Sequence, residues 1–409
     1  MRPVTIIDTL EGIKAQGIRS CVLLYSGGID GSYFLDWAQQ EDIHVVALTV
    51  GLEDSAEYQN ASETAHILGA HHVFQNKTEQ FLQDYASRAI HANAFYQGLY
   101  PISSSLSRPL MIKAAAELAE QMGIQAVAHT STCVQNSAAR FNFSLMTIDP
   151  TLTIVTPFLG SQYTRSLKLQ RLQERNLTFL SGIHSVDSNI WGRVIESGTL
   201  ENPENDLPPD GVFTWTKEIS ATPDKPEMLE IEFEQGLPTK LNGRPLSLLE
   251  MVQALNELGG RHGVGRFSGL EETTFGVKNH EVREAPAAHI LISAHRELEM
   301  AILTQAEVSL KLSLDNQWTN LVVSGQWYAH LAEAIYAFIK HMNALVNGKV
   351  RLKLYKGNLI VLSKVAPQGL YYAGFEDAFV SMIRDISFSP LYNTMGISLL
   401  RRQPVSTRN

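Results

Sequence analysis

The sequence predicts an α/β protein: an N-terminal doubly wound parallel sheet, an α+β region after it, and a C-terminal helical arm. Three observations carry this reading. Short apolar runs alternate with helical patterns over about the first 130 residues, as buried parallel strands and their crossover helices do. Past about residue 180 the strand-like segments alternate polar with apolar residues, the mark of antiparallel strands with one wet face. The last 40 or so residues hold one amphipathic stretch, 375–386, and then a polar tail. A chain of 409 residues suits two or three domains, and the changes of pattern set them at 1–180, 181–365 and 366–409.

Each element follows from its residues. Cys21-Val22-Leu23-Leu24-Tyr25 is a short apolar run stopped by Ser26-Gly27-Gly28, a buried strand and its turn. Residues 32–40 carry Phe34, Leu35 and Trp37 within a helical pattern, and 45–50 form a second buried strand. A helix over 56–68 ends at Gly69, because glycine enters the left-handed C-cap without strain. His72-Val73-Phe74 is a strand, 110–122 a helix stopped by Gly123, and Ala126-Val127-Ala128 a further strand. Residues 202–210 are a loop rich in Pro, Asn and Asp. Ile231 and Phe233 then alternate with Glu230 and Glu232 in a half-exposed strand. Residues 248–258 read as a helix closed by Gly259-Gly260, and Lys356-Gly357-Asn358 as the turn of a hairpin.

Composition narrows the function. Apolar residues at 44% and charged residues at 18% exclude a disordered chain. A net charge of −9 disfavours nucleic acid or an anionic membrane as a partner of the whole protein. No uncharged apolar run spans a bilayer. Asp8 and Glu11 interrupt any signal peptide. Two cysteines, Cys21 and Cys133, make neither a disulfide framework nor a zinc spacing. The expectation is a soluble, cytoplasmic protein.

Ser26-Gly27-Gly28-Ile29-Asp30-Gly31-Ser32 lies between a buried strand and a helix, which makes it an anion cradle. Glycines let backbone approach a ligand and take positive φ. N–H groups of the loop and the first helical turn face the ligand, and the helix dipole adds favourable charge. The Ser26 and Ser32 hydroxyls add donors. A carboxylate repels phosphate, so Asp30 reads as an N-cap or as a Mg²⁺ ligand. The pattern is neither a Walker loop nor a dinucleotide fingerprint. A plain strand–turn–helix connection also uses Gly-Gly; the paired serines favour phosphate.

Ser-Gly-Gly-x-Asp-x-Ser after a first strand resembles the pyrophosphate loop of the N-type ATP pyrophosphatases and implies an adenine nucleotide alpha hydrolase-like fold. The chain is similar to the argininosuccinate synthase family over almost its whole length. Matching stretches include Ser105-Leu106-Ser107-Arg108-Pro109, Ser185-Val186-Asp187-Ser188-Asn189, His262-Gly263-Val264-Gly265-Arg266, Glu284-Ala285-Pro286-Ala287-Ala288 and Leu354-Tyr355-Lys356-Gly357. The resemblance implies an ATP-dependent carbon–nitrogen ligase of arginine biosynthesis. In the family the ureido oxygen of a citrulline-like substrate attacks the α-phosphorus of ATP, pyrophosphate leaves, and the amine of aspartate displaces AMP. It further implies amino-acid substrates, Mg²⁺ carried by ATP rather than a separate metal site, and a homotetramer in which the C-terminal arm reaches a neighbour.

On that resemblance the ATP positions are Tyr25, Ser26, Gly27, Gly28, Asp30, Gly31, Ser32, Val50 and His129, although Val50 reads equally well as a core valine. The amino-acid substrates fall to Tyr100, Ser105, Thr132, Asn136, Ser137, Arg140, Ser185, Glu271 and Arg283. Catalytic roles fall to Asp30, Asn136 and Arg140. The chain departs from the family at a second loop, His129-Thr130-Ser131-Thr132-Cys133-Val134-Gln135-Asn136-Ser137. There three family glycines are missing, a lysine is Val134 and an aspartate is Ser137. A family serine is Val194 and a family tyrosine is Arg283. Three readings follow: a working ligase of the family's kind, a paralogue with another acceptor or amine, or a non-catalytic member. The intact first loop favours catalysis over the third reading, the rewritten second loop favours the second over the first, and the family reaction is still the best-supported concrete statement. Arg283 is expected to pair with Glu271 or to receive a carboxylate.

Overall fold

The computed structural model describes residues 4–53, 57–133, 135–160, 163–177, 179, 184–206, 211–273, 275–371 and 374. The amphipathic stretch at 375–386 and Val134 lie outside them. The strands β1 (Ile6–Ile7), β2 (Ser20–Leu24), β3 (His44–Gly51) and β4 (His71–Asn76) come first. A ribbon of β5 (Phe95–Tyr96) and β6 (Tyr100–Pro101) follows, then β7 (Ala126–Ala128) and β8 (Thr153–Val155). The ribbon apart, these pair in the order β1-β8-β7-β2-β3-β4, every pair parallel. The helices α1 (Leu10–Ala15), α2 (Ile29–Gln40), α3 (Glu57–Ile67), α4 (Thr78–Phe81), α5 (Ser87–His91), α6 (Ser104–Met122), α7 (Asn136–Ile148) and α8 (Arg165–Glu174) accompany them.

The sheet is covered on both faces, and its side chains divide by the two-residue period of a strand. Val22, Leu24, Val46 and Leu48 join one core, Cys21, Leu23, Val45 and Ala47 the other. This is why these runs are continuously apolar rather than alternating. The strand order reverses at β2: the chain goes to β3 and β4 on one side, then returns to β7 and β8 on the other. Such a switch point opens a crevice at the carboxyl ends of the strands.

The second half carries β9 (Ser185–Asn189), β10 (Gly192–Glu196), β11 (Glu227–Glu234), β12 (Leu237–Leu241), β13 (Arg244–Pro245), β14 (Arg266–Glu272), β15 (Lys278–Glu284), β16 (Gly348–Tyr355) and β17 (Asn358–Val365). They form two antiparallel sheets, β14-β15-β10-β9 and β13-β12-β11-β16-β17. The helices α9 (Leu248–Arg261), α10 (Pro286–Ile302), α11 (Gln305–Val323) and α12 (His330–Asn343) belong here. The β16–β17 turn closes on Lys356 and Gly357, both left-handed at φ 49° and 80°, as a tight hairpin demands.

Three helix boundaries differ from the expectation by three or more residues. The helix α2 opens at Ile29 rather than at 32. Gly259 and Gly260 do not close α9; the helix runs on to Arg261. The glycines are there for clearance. A Cβ on Gly260 would stand 2.1 Å from the Trp215 carbonyl oxygen, and one on Gly259 2.8 Å from Pro286 Cβ. The helix α6 starts at Ser104, upstream of the expected 110, and includes Pro109. Its first turns are lined by buried serines, which carry no apolar period to read. Among the described residues no helix is long and apolar enough to cross a membrane.

Candidate active site

The first loop leaves β2 at the switch point. The Tyr25 N–H donates to the Leu48 carbonyl and Thr49 Oγ1 donates to the Tyr25 carbonyl, both at 2.8 Å, which seats the loop on β3. Gly27 turns the chain at φ +82°, and a Cβ there would lie 3.1 Å from Ala61 Cβ. Gly31 rests on the Tyr25 ring, where a Cβ would come within 2.8 Å of Cδ2. The N–H groups of Ile29, Asp30 and Gly31, in the first turn of α2, have no intrahelical acceptor; the Ser32 N–H donates to the Gly28 carbonyl at 3.0 Å. The N-cap, Gly28, has no side chain to compete for those donors.

One expectation is corrected here. Asp30 is not the N-cap; it lies in the first turn and pairs with Lys168 Nζ at 2.7 Å. Lys168, on α8, is only 3% exposed at its side chain and stacks on the Phe158 ring at 3.7 Å. The paired serines also part company. Ser26 is exposed, whereas Ser32 is fully buried with its Oγ held 2.8 Å from Tyr25 Oη. Burial pushes the Tyr25 phenol up to about 12, against the hydrogen bond from Ser32. Val50 is a buried member of the core next to the loop.

The second loop follows β7, the neighbour of β2 across the switch point. Thr130 Oγ1 comes 3.9 Å from the position a Gly31 Cβ would take, so the two loops meet. The buried His129 bonds through Nε2 to Asn142 at 2.8 Å. Burial lowers its imidazole to about 4, which keeps it neutral at pH 7. The Thr132 N–H donates to the Gln135 side-chain Oε1 at 3.0 Å and the Gln135 N–H donates to the Thr132 carbonyl at 3.1 Å, which closes a turn. Asn136 opens α7 and donates to Glu271 Oε1 at 3.1 Å and to the Glu272 carbonyl at 2.9 Å. Ser137 Oγ accepts from Arg108 Nε at 3.2 Å, and Arg108 grips Asp187 with two bonds, the shorter 2.6 Å.

One turn further on, Arg140 joins Glu271 and also donates to the Val323 carbonyl at 2.8 Å. Arg283 reaches Glu271 Oε2 at 2.8 Å, bonds Glu281 as well, and lays its guanidinium over the Tyr100 ring at 4.1 Å. Tyr100, Ser105, Arg140, Glu271 and Arg283 thus line one small pocket. Burial alone would raise the Glu271 carboxyl; Arg140 and Arg283 outweigh it and hold it down at about 2. For Glu281 burial prevails over Arg283 and, with Glu271 and Glu196 nearby, raises it to about 7. Val194, opposite Arg283 in the β10–β15 register, is buried. Ser185 stands apart: it is exposed and pairs across β9 and β10 with Glu196.

Both halves of the chain match known sequence families. Residues 20–178 match the arginosuccinate synthase N-terminal HUP domain, and residues 184–390 match the arginosuccinate synthase C-terminal domain. The argininosuccinate synthase of Pyrococcus furiosus is 39% identical over 86% of each chain. Those of Dehalococcoides mccartyi and Rubrobacter xylanophilus are 37% and 39% identical, over 86% and 87% of this chain and 88% of their own.

The chain belongs to the argininosuccinate synthase family. Argininosuccinate synthases are ATP-dependent carbon–nitrogen ligases that form AMP and pyrophosphate. Within this family member the sequence reading missed Lys168, Arg108, Asp187 and Glu281. Arg108 and Asp187 lie inside stretches that resemble the family, so the motif carried a signal for them. Lys168 sits in a polar helix and looks like any solvated cation until the fold sets it against Asp30.

Proposed function

We propose that this chain is a working, AMP-forming carbon–nitrogen ligase whose ATP binds at the β2–α2 loop. The observation that carries the reading is the first turn of α2. Three outward N–H groups, an N-cap without a side chain and a glycine at positive φ meet at a switch point, where a triphosphate finds donors and a favourable dipole. The substrate is ATP·Mg²⁺, whose metal shields the phosphates while a ureido oxygen attacks the α-phosphorus. Pyrophosphate leaves, and the amine of the second substrate, aspartate in the family, displaces AMP. Most of the rate comes from positioning and from charge stabilisation.

The acceptor belongs to the pocket of Tyr100, Ser105, Arg140 and Glu271. Asn136 and Arg140 tie that pocket to the second loop, and Thr130 brings the second loop to the first. Catalytic roles are assigned to Asp30, Asn136 and Arg140, and amine binding to Thr132 and Ser137. We assign the chain to the cytoplasm and to a homotetramer, with domains at 1–180, 181–365 and 366–409. Pyrophosphate release with ATP·Mg²⁺, measured across a panel of ureido compounds and amines, tests the reading. Release that needs both an acceptor and an amine is expected; none above the protein-free rate with any pair refutes it.

A further inference from the structure

The pocket beside Glu271 is lined by the opposed charges of Arg140, Glu271 and Arg283, and Arg283 also bonds Glu281 outside the lining. Arg140, Glu271, Glu281 and Arg283 are each between 5% and 8% exposed. Glu271 is already engaged: Arg140 and Asn136 donate to Oε1, Arg283 to Oε2. Its negative charge faces two guanidiniums, so it has none left to match an incoming ammonium, which would also approach both cations. Two other polar atoms are unused. Tyr100 Oη and Arg283 Nε are buried with no hydrogen-bond partner among the described residues. Nε–H is purely a donor and the phenol a ready one, so both ask for an acceptor oxygen. A buried polar group without its partner costs free energy, and a ligand oxygen relieves it. The cavity is about 10 Å³, close to the room one water or one ligand oxygen takes.

We propose that the acceptor places a carboxylate oxygen against Tyr100 Oη and Arg283 Nε and carries no ammonium at that end: a ureido acid without a free α-amino group. The ureido part rests on the ligase reading above; the charge preference does not. Arg283 is then a specificity-determining residue.

Calorimetric binding of citrulline and of 5-ureidopentanoate, which is citrulline without its α-ammonium, to the full chain without ATP separates the two. The expected result is at least tenfold tighter binding of 5-ureidopentanoate. Arg283→Gln should reduce that preference below threefold. Should that variant fail to fold by circular dichroism, Tyr100→Phe keeps the ion cluster and should weaken 5-ureidopentanoate at least fivefold with little change for citrulline. Citrulline binding as tightly as 5-ureidopentanoate, or no binding of either at millimolar concentration, overturns the proposal. Pyrophosphate release by the same samples reads the ligase activity separately: its absence with the binding preference intact fails the ligase reading alone.

Discussion

At the scale of single residues, Lys168 and Asp30 make a pair whose two halves are unequal. The Lys168 side chain is 3% exposed and the Asp30 side chain 39%, so removing the carboxylate strands a buried ammonium on the Phe158 ring. A buried group that loses its partner costs about 1–3 kcal/mol. Asp30→Ala is therefore expected to lower stability by about that much and to weaken ATP-dependent pyrophosphate release. Adding Lys168→Met should recover part of the stability but none of the activity. Urea denaturation and a pyrophosphate assay on the double-mutant cycle check this; a double variant no more stable than Asp30→Ala rejects the coupling.

Glu271 and Glu281, the two carboxylates bonded to Arg283, set a pH dependence of opposite signs. Glu271 is depressed from 4.5 to about 2, so its contribution is present above pH 4.5 and fades as pH falls toward 2. Glu281 is raised from 4.5 to about 7, so its contribution is present below 4.5 and is lost as pH rises through 7. Replacing Glu281 by Gln removes that loss. The melting temperature of the variant relative to the parent should be higher at pH 8 than at pH 5, as melting curves at the two values will show. An equal difference at both pH values contradicts the assignment.

At the scale of elements, α9 shows a conflict that packing wins. Alanine is favoured over glycine inside a helix by about 1 kcal/mol. At Gly260 that gain meets the Trp215 carbonyl oxygen at 2.1 Å and at Gly259 the Pro286 ring at 2.8 Å. Gly260→Ala is expected to destabilise by about 1–3 kcal/mol, the ordinary range for overpacking. A stabilised Gly260→Ala variant in denaturant titration would show that the helix simply shifts. The two-residue period of strands and the 3.6-residue period of helices make β2, β3, β7 and α2 legible in the sequence. The same periods miss the start of α6, because buried serines satisfied by local bonds such as Ser107 Oγ to the Ser104 carbonyl at 2.9 Å leave no apolar pattern.

At the scale of the whole molecule, β17 is the edge of its sheet among the described residues and exposes Ile360, Leu362 and Val365. An apolar, unpaired edge is a liability unless covered, and a homotetramer is one way to cover it. Light scattering should give four chains for the full-length protein. Truncation from about residue 370 should lower the mass, and Leu362→Lys should do so with the tail intact. A full-length monomer at micromolar concentration ends the tetramer reading.

The sequence by itself determined the local and repetitive parts of this protein: the parallel strands, the glycine loop with its strand before and helix after, and the family. Those depend on the order of neighbouring residues, and neighbours are what a sequence displays. It also marked Arg283 and Glu271 as a charge problem twelve positions apart, with pairing as one of two solutions. Only the tertiary structure shows the pairing. Arg283 and Glu271 lie on paired strands β15 and β14, and α7 brings Arg140 to the same carboxylate. The tertiary structure also buried Ser32 against Tyr25 and set Lys168 against Asp30. Whether a serine faces a ligand or a core, and whether a lysine is solvated or paired, depends on what the fold packs beside it. Those partners come from distant segments, 138 positions away in the case of Lys168 and Asp30, and no local pattern encodes them.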